Sequence, residues 1–265
     1  MGPFRVKKPC VGSALPSLAT LTGLMITGHV PAIAQSGSNI SCPSPQPGSY
    51  LAVVKGTAQQ EPVALLLQET WNADGSINGI RMERRGRTYQ ELSYSGRLRP
   101  ISHCRVAIDR EFNDVKIPSE IFLDRAGRPH YGIALLPEVV VSSRWSAQPT
   151  TACSKAVVDG DLMSVREGLS LEKNRWASKT IIQRETWRSG KASGIWVGSF
   201  GETLGEATYQ GTIQTDSTCL ATIEQVDSLG TRNRYRGIVR SDGSGYAYIQ
   251  TDPNSIAIGT MERVP

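Results

Sequence analysis

The tripeptide Glu-Thr-Trp occurs twice in this 265-residue chain, and much of the sequence after each copy also corresponds. The corresponding positions are Glu69 and Glu185, Trp71 and Trp187, Tyr94 and Tyr209, Gly96 and Gly211, and Cys104 and Cys219. The glycine precedes the cysteine by eight residues in both copies. Repetition at a fixed spacing indicates that one structural unit is used twice, so we interpret the chain as a tandem duplication of a unit of roughly 100 residues.

The first unit has the pattern of short β-strands joined by tight turns. Asp74-Gly75 and the turn at 124–127 are typical of hairpin connections. Apolar residues alternate or form short blocks, and nowhere recur with helical spacing over three turns. The predicted strands are 50–54, 63–71, 77–82, 89–98, 104–108, 117–123, 131–136 and 139–145.

The second unit repeats this pattern from Thr180 onward, but it opens differently. Lys155 to Ser170 has no clear counterpart in the first unit, and we predict a short helix or an irregular strand there. The remaining predicted strands are 180–187, 194–200, 206–213, 219–225, 234–240, 245–250 and 256–264.

Short strands at a spacing of roughly ten residues fit an up-and-down barrel or a sandwich. Sequential hairpin turns favour the barrel, because a Greek key needs a long connection. We therefore predict an all-β protein with two tandem antiparallel up-and-down barrels of about eight strands each. The alternative is one continuous sheet shared by both units.

The N-terminus has the layout of a secretory signal peptide. Basic residues precede an apolar stretch, and Ala32-Ile33-Ala34 supplies a small-x-small cleavage pattern, which predicts cleavage before Gln35. The apolar stretch is short of the ~20 residues that a membrane span needs, so no integral membrane segment is expected after cleavage. The predicted organisation is a signal peptide at 1–34, a flexible segment at 35–48, a first barrel at 49–146, a linker at 147–160 and a second barrel at 161–265.

Removing the signal peptide also changes the charge. The mature chain keeps 26 of the 29 basic residues against all 24 acidic ones, so its excess of positive charge is small. No basic stripe of the kind that binds nucleic acid is present in the sequence. We therefore expect no nucleic-acid partner.

Four of the five cysteines lie after the predicted cleavage site. An even number in an exported chain implies disulfides, and four cysteines allow three connectivities. Because each unit owns one early and one later cysteine, we predict the pairs Cys42–Cys104 and Cys153–Cys219. Each bond would close a loop of about 60 residues and contribute on the order of 4 kcal/mol in the chain-entropy model.

The repeated residues are also the candidate site. Glu and Trp of each Glu-Thr-Trp are two residues apart, so they share one face of a strand. The candidate ligand-binding residues, at the barrel mouths, are Glu69, Trp71 and Tyr94 in the first unit and Glu185, Trp187 and Tyr209 in the second. Arg144 and Arg263, in the last predicted strands, could stack on the tryptophans. The alternative, which we favour for the tryptophans, is that a large aromatic side chain closes each barrel end.

The sequence contains no pattern that predicts catalysis or a cofactor. The histidines of the mature chain, His103 and His130, both fall in the first unit and do not have metal-ligand spacing. No nucleophile elbow, dinucleotide fingerprint or phosphate loop occurs. We therefore predict no catalytic residues, no metal site and no cofactor.

Several short motifs of the second unit occur in a familiar order. Tyr209–Ile213, Cys219, Asp242-Gly243, Thr251–Pro253 and Gly259-Thr260 follow one another. In this order the chain resembles exported bacterial proteins that look like small calycin or allene oxide cyclase-like β-barrels. The first unit departs from the pattern, because Leu135-Leu136-Pro137 stands where the second has Thr-Asp-Pro. The resemblance implies a barrel and export, and it implies no activity and no catalytic residue.

Three functions follow from these observations. We predict an exported envelope protein, periplasmic or secreted, that binds a small or apolar ligand or a protein partner without catalysis. One alternative is a hydrolase or isomerase that uses barrel-mouth groups such as Glu69 and Tyr94. The other is a purely structural surface protein with filled barrels. An enclosed cavity of about 300 Å³ or more would favour ligand binding.

Overall fold

A computed structural model describes residues 42–113, 115–149, 153 and 158–264. The predicted signal peptide lies outside these residues. The strands are β1 (Gly48–Ala58), β2 (Glu61–Trp71), β3 (Ser76–Arg85), β4 (Thr88–Ile101), β5 (Arg105–Phe112), β6 (Val115–Leu123), β7 (Pro129–Ala134), β8 (Val139–Gln148), β9 (Gly160–Glu172), β10 (Arg175–Arg188), β11 (Lys191–Phe200), β12 (Thr203–Thr215), β13 (Leu220–Asp227), β14 (Arg232–Val239), β15 (Gly245–Gln250) and β16 (Ser255–Arg263).

The strands form two closed barrels of eight antiparallel strands each. Within each barrel every strand pairs with its neighbour in the chain; β1 with β8 closes the first barrel, and β9 with β16 closes the second. The tandem barrels are confirmed, and the alternative of one shared sheet is wrong. In the part of the chain that the structure describes, no helix has the length and apolar character needed to cross a membrane.

Of the two alternatives predicted for Lys155 to Ser170, the short helix is wrong where the structure describes these residues, and a strand is present. Residues 160–172 form a regular strand, β9, that pairs with both β10 and β16. This strand is hard to recognise because polar residues point inward. Ser164 and Arg166 are buried inside the barrel, whereas Met163 and Val165 are 45% and 62% exposed on its outer face.

Both predicted disulfides are present. Cys42 bonds Cys104 and Cys153 bonds Cys219, with Cα atoms 4.8 Å and 5.1 Å apart. We call the end of each barrel that carries its disulfide the closed end. Covalent cross-links of this kind are typical of proteins that fold in an oxidising compartment.

The repeated tryptophans occupy equivalent positions at the closed ends, as predicted. Trp71 lies opposite Gly48, the first residue of β1, and Trp187 lies opposite Gly160, the first residue of β9. Each indole is 1% exposed. In the first barrel, the ring of Tyr50 packs against Trp71 with centroids 4.9 Å apart.

The two barrels pack against each other through an apolar interface. Its buried members are Leu51, Ala64, Leu66 and Met82 of the first barrel and Ile238, Ala247, Ile249, Ile256 and Ile258 of the second. Polar contacts surround it: Arg236 donates to Glu91 at 2.6 Å, and Gln148 donates to the carbonyl oxygen of Val239 at 2.7 Å. Strands at this interface are therefore buried on both faces.

Candidate functional site

The first barrel contains a cavity of about 190 Å³ that is open at one end. It extends from Ala58 and Leu136, at the end opposite the disulfide, to Trp145 in the interior. Leu136 and Val139 are half-buried, which places this end within reach of solvent. The remaining lining is mainly aliphatic and aromatic, and its charged members are Arg81, Glu83, Arg85 and Arg110.

A buried carboxylate, that of Glu69, lies on β2 between the cavity and the closed end. Glu69 Oε2 accepts a hydrogen bond from Trp71 Nε1 at 2.9 Å. Its Oε1 accepts from the Tyr94 hydroxyl and from Arg110 Nε, each at 2.5 Å. Glu69 is 0% exposed, so these three donors replace the water that a carboxylate would otherwise bind.

Arg110 connects this carboxylate to the cavity. Its Nη1 donates to Ser119 Oγ, and its guanidinium carbon lies 5.6 Å from the ring centroid of Trp145. Burial acts to lower the pKa of Arg110, but the neighbouring Glu69 more than offsets this, and the pKa is raised. The guanidinium is therefore charged, and its Nη2 is buried without a partner in the described structure.

Arg81 and Glu83, both on β3, form a second ion pair in the cavity wall. The Arg81 guanidinium lies 4.8 Å from the centre of the Phe112 ring, and its Nε is buried without a partner. Gln90 donates to Glu83 Oε2 at 2.8 Å. Two arginines and two glutamates thus balance in charge around the inner part of the cavity, while two arginine N–H groups are left unpaired.

This arrangement is suited to binding a ligand group through hydrogen bonds rather than to acid–base chemistry. The Glu69 carboxylate already accepts three hydrogen bonds, so it is poorly placed to take up a substrate proton. Burial, with the Glu69 charge, raises the pKa of Tyr94 well above its ordinary value, so its hydroxyl stays a donor. Among the described residues, no three His, Cys, Asp or Glu side chains are grouped to hold a metal ion.

The second barrel has the same carboxylate but no equivalent cavity. Glu185 accepts hydrogen bonds from Trp187 Nε1, from the Tyr246 hydroxyl and, at 2.8 Å, from the Tyr209 hydroxyl. Gln225 Nε2 lies 3.4 Å from the same carboxylate. Burial raises the pKa of Glu185, although these donors act against that.

Strand register explains why one barrel is hollow and the other is filled. Gln225 pairs with Gly211 in the second barrel, and Arg110 pairs with Gly96 in the first. The two positions are equivalent, so a neutral amide takes the place of the guanidinium. Following the strand pairing from β5 and β13, Ser119 occupies the position of Tyr235, and Gly132 that of Tyr248. The space around Gln183, Ile223, Gln225 and the three tyrosines Tyr235, Tyr246 and Tyr248 holds no water-sized void.

The second barrel also buries two cations that the first barrel lacks at these positions. Arg166 Nη1 donates to the Tyr235 hydroxyl at 2.6 Å. Lys179 is 7% exposed, and its ammonium donates to Ser255 Oγ and, at 3.3 Å, to Gln250 Oε1. Burial, together with the charge of the nearby Arg166, lowers the pKa of Lys179 to about 7.

The structure joins the predicted residues of each unit into one hydrogen-bonded cluster. Glu69, Trp71 and Tyr94 form one, and the three corresponding residues of the second unit form the other. All six are buried. They lie inside the barrels rather than at a mouth, and none of them lines the first-barrel cavity, which Glu69 reaches only through Arg110.

Arg110 was missed by sequence reasoning. A signal for it exists: Val106, Ile108 and Phe112 alternate along β5, so residue 110 must point inward and bury a charge. The predicted stacking of the other two arginines is wrong. Arg144 is exposed on the outer face of β8, and Arg263 donates to the carbonyl oxygen of Gly243.

Comparison with known proteins gives little beyond this geometry. No protein-family model matches the chain, and no curated protein is similar to it in sequence. Among solved structures, a crystal structure of MucB in complex with MucA(peri) is 11% identical with a TM-score of 0.20, over 83% of this chain and 88% of that one. A complex of Pseudomonas aeruginosa MucA and MucB is 10% identical with a TM-score of 0.20, over 83% and 89%. At these scores neither similarity bears on what this chain binds.

Proposed function

We propose that this protein is an exported, non-enzymatic binding protein whose first barrel holds a small apolar ligand with one neutral oxygen acceptor. The observation that carries the proposal is the contrast between the barrels. The same duplicated unit is filled by Tyr235, Tyr246 and Tyr248 in one copy and hollow in the other. The atoms that line an empty cavity lose packing contacts. A hollow barrel is therefore expected where the cavity holds a ligand.

The volume sets the size of the ligand. The cavity, at about 190 Å³, is smaller than the about 300 Å³ at which drug-sized pockets begin. An apolar cavity of about 150 Å³ holds benzene, so this one suits a molecule on the order of eight non-hydrogen atoms. Phe112 and Trp145 in the lining favour an aromatic or branched aliphatic body.

The charges of the lining set the ligand's polarity. Arg81 and Arg110 each have one unpaired N–H, which an oxygen acceptor would satisfy. Their charges are already balanced by Glu83 and Glu69, so a carboxylate ligand would add an uncompensated buried negative charge. A carbonyl or hydroxyl oxygen accepts the hydrogen bonds without that cost.

In this proposal Glu69, Trp71 and Tyr94 contribute indirectly, since they fix the guanidinium of Arg110. The corresponding residues of the second unit, Glu185 and Trp187 among them, stabilise a filled barrel. The signal-peptide pattern and the two disulfides support a periplasmic or secreted location. Each barrel is, by the same proposal, calycin-like.

The test uses three probes of matched shape: acetophenone, benzoate and isopropylbenzene. Binding to the purified mature protein is followed by calorimetry and by the shift in melting temperature. We expect acetophenone to bind about tenfold more tightly than either of the others, which corresponds to about 1.4 kcal/mol. Leu65→Trp, which fills the cavity, should abolish binding, and Ile182→Trp, on the outer face of the second barrel, should not.

Other outcomes select the alternatives. Tightest binding of benzoate would contradict the charge argument. No binding of any probe at millimolar concentration would favour a structural protein. Conversion of a probe to product, observed by NMR, would favour an enzyme that uses Glu69 and Tyr94.

A further inference from the structure

A groove runs along the outer surface between the two barrels, outside the ligand cavity. It has a volume of about 680 Å³. Phe122, Tyr131 and Ile133 line it on the first barrel, and Val165 and Thr260 line it on the second. Ser142, Ser146 and Gly259 also line it, and their small side chains leave it open.

Large apolar side chains are exposed in this groove. Phe122 is 53%, Tyr131 51%, Ile133 51% and Val165 62% exposed. Single exposed apolar residues are common on protein surfaces, but a group of them in one concave site is typical of an interaction surface. The apolar interface between the barrels is complete without these four, because none of them belongs to its buried cluster.

Unpaired positive charge lies among these apolar residues. Arg144 and Arg240 line the groove, and in the described part of the chain neither takes part in an ion pair. Arg105, also in the lining, is neutralised by Glu120 at 2.6 Å. Lys55, the fourth basic residue of the lining, is paired with Glu167 at 3.6 Å. That leaves Glu262 against Arg144 and Arg240, so the lining keeps an excess of positive charge and attracts negative charge.

Strand pairing is interrupted at the same groove in both barrels. The β7–β8 ladder has only three residue pairs, from Tyr131↔Arg144 to Ile133↔Ser142, so the β8 residues 145–148 pair with β1 alone. In the second barrel the β9–β16 ladder skips residues 259–261. Residues 145–148 of β8 lie beyond the end of the β7–β8 ladder, and a strand edge of this kind is a template for an extended chain. The β9–β16 gap is flanked by pairs in a single register and has no room for another strand.

We propose that this groove binds an extended segment of a partner protein in which acidic side chains alternate with apolar ones. The unpaired arginines select the acidic side chains, the exposed aromatic and aliphatic residues contact the apolar ones, and the edge of β8 supplies backbone hydrogen bonds. The groove shares Gly132, Ile133, Ser143 and Trp145 with the lining of the ligand cavity, but Arg144 and Arg240 line the groove alone. Variants at these two arginines therefore test the groove separately from the cavity.

The experiment measures fluorescence anisotropy of a short labelled peptide in which Glu alternates with Val and Phe, titrated with the mature protein. The comparison peptide has Lys in place of each Glu. We expect the acidic peptide to bind about tenfold more tightly, and its affinity to fall as salt is added. The double variant Arg144→Glu/Arg240→Glu should reverse this preference.

A matched control has the same change of net charge away from the groove. Arg99→Glu/Arg188→Glu alters two exposed arginines outside the groove lining and should leave both affinities unchanged. Equal binding of the two peptides, no binding of either, or equal effects of the two double variants would each overturn the proposal. Self-association of the protein that only Arg144→Glu/Arg240→Glu removes would assign the groove to a second copy of the chain and would also overturn it.

Discussion

Replacing Lys179 by methionine should remove most of the rise in stability that we expect on the alkaline side of neutrality. Lys179 is almost fully buried in the filled barrel, and burial, together with the charge of Arg166, lowers its pKa to about 7. Asp252 opposes this effect. The ammonium donates to Ser255 and Gln250, which also hydrogen bond to each other and so keep a partner when the lysine is removed.

The sign follows from the number of protons bound in each state. An unfolded lysine has its ordinary pKa of 10.5, so between pH 7 and 10.5 the unfolded chain binds a proton that the folded chain has lost. Stability from this group is therefore fully present above 10.5, increases with pH across the window, and is lost as the pH falls through about 7. The slope is about 1.4 kcal/mol per pH unit, or about 3 kcal/mol between about pH 7 and pH 9.5.

The assay is urea unfolding followed by circular dichroism at those two pH values. Wild-type protein should gain about 3 kcal/mol at the higher pH, and Lys179→Met should gain little. Lys191→Met, at an exposed lysine on the neighbouring strand, is the control and should behave as wild type. A wild-type protein as insensitive to pH as Lys179→Met, or an equal effect of Lys191→Met, would refute the reasoning. The window ends below pH 10 because unfolded tyrosines begin to ionise there.

Three further predictions test the contrast between the barrels. Leu65→Trp should change stability little, because the cavity has room for the ring. The same change at the equivalent Ile181 should cost about 1–3 kcal/mol by overpacking. Thermal unfolding distinguishes the two variants. Trp71→Ala and Trp187→Ala should each cost about 3–5 kcal/mol, measured in urea, because each removes a buried indole from a closed end. Arg110→Gln breaks a buried ion pair and should cost about 3–5 kcal/mol, and preserved stability would mean that the carboxylate partner does not need the guanidinium.

Most of the architecture could be predicted because the relevant signals are local or repeated. Alternating apolar residues, Asp-Gly turns and the duplicated Glu-Thr-Trp determine strands, hairpins and repeat. One cysteine pair in each repeat was enough to choose between the possible disulfides. These features depend on residues that have the same structural role in both units.

The packing of one barrel against the other was not predicted, although the sequence contains a signal for it. Strands buried on both faces are apolar without alternation, as at Tyr50–Val54 and Gly245–Gln250. We interpreted these runs as ordinary barrel strands. The opposite error concerns β9, where inward polar and outward apolar residues invert the expected pattern because the interior of the second barrel is itself polar.

The cavity could not be predicted because it depends on which strand supplies one hydrogen bond. Both buried carboxylates receive donors from a tryptophan and a tyrosine of the repeat. The third strong donor is Arg110 on β5 in the first barrel and Tyr246 on β15 in the second. Pro129, the register counterpart of Tyr246, has no side-chain donor. The Arg110 guanidinium on β5 donates to the carboxylate, so no bulky ring is needed on β7. The cavity lies beside β7, where Gly132 lines it. The ion pair and the cavity thus both follow from the use of an arginine donor in the first barrel where the second has a tyrosine donor. A change at Arg110 should therefore affect both stability and ligand binding.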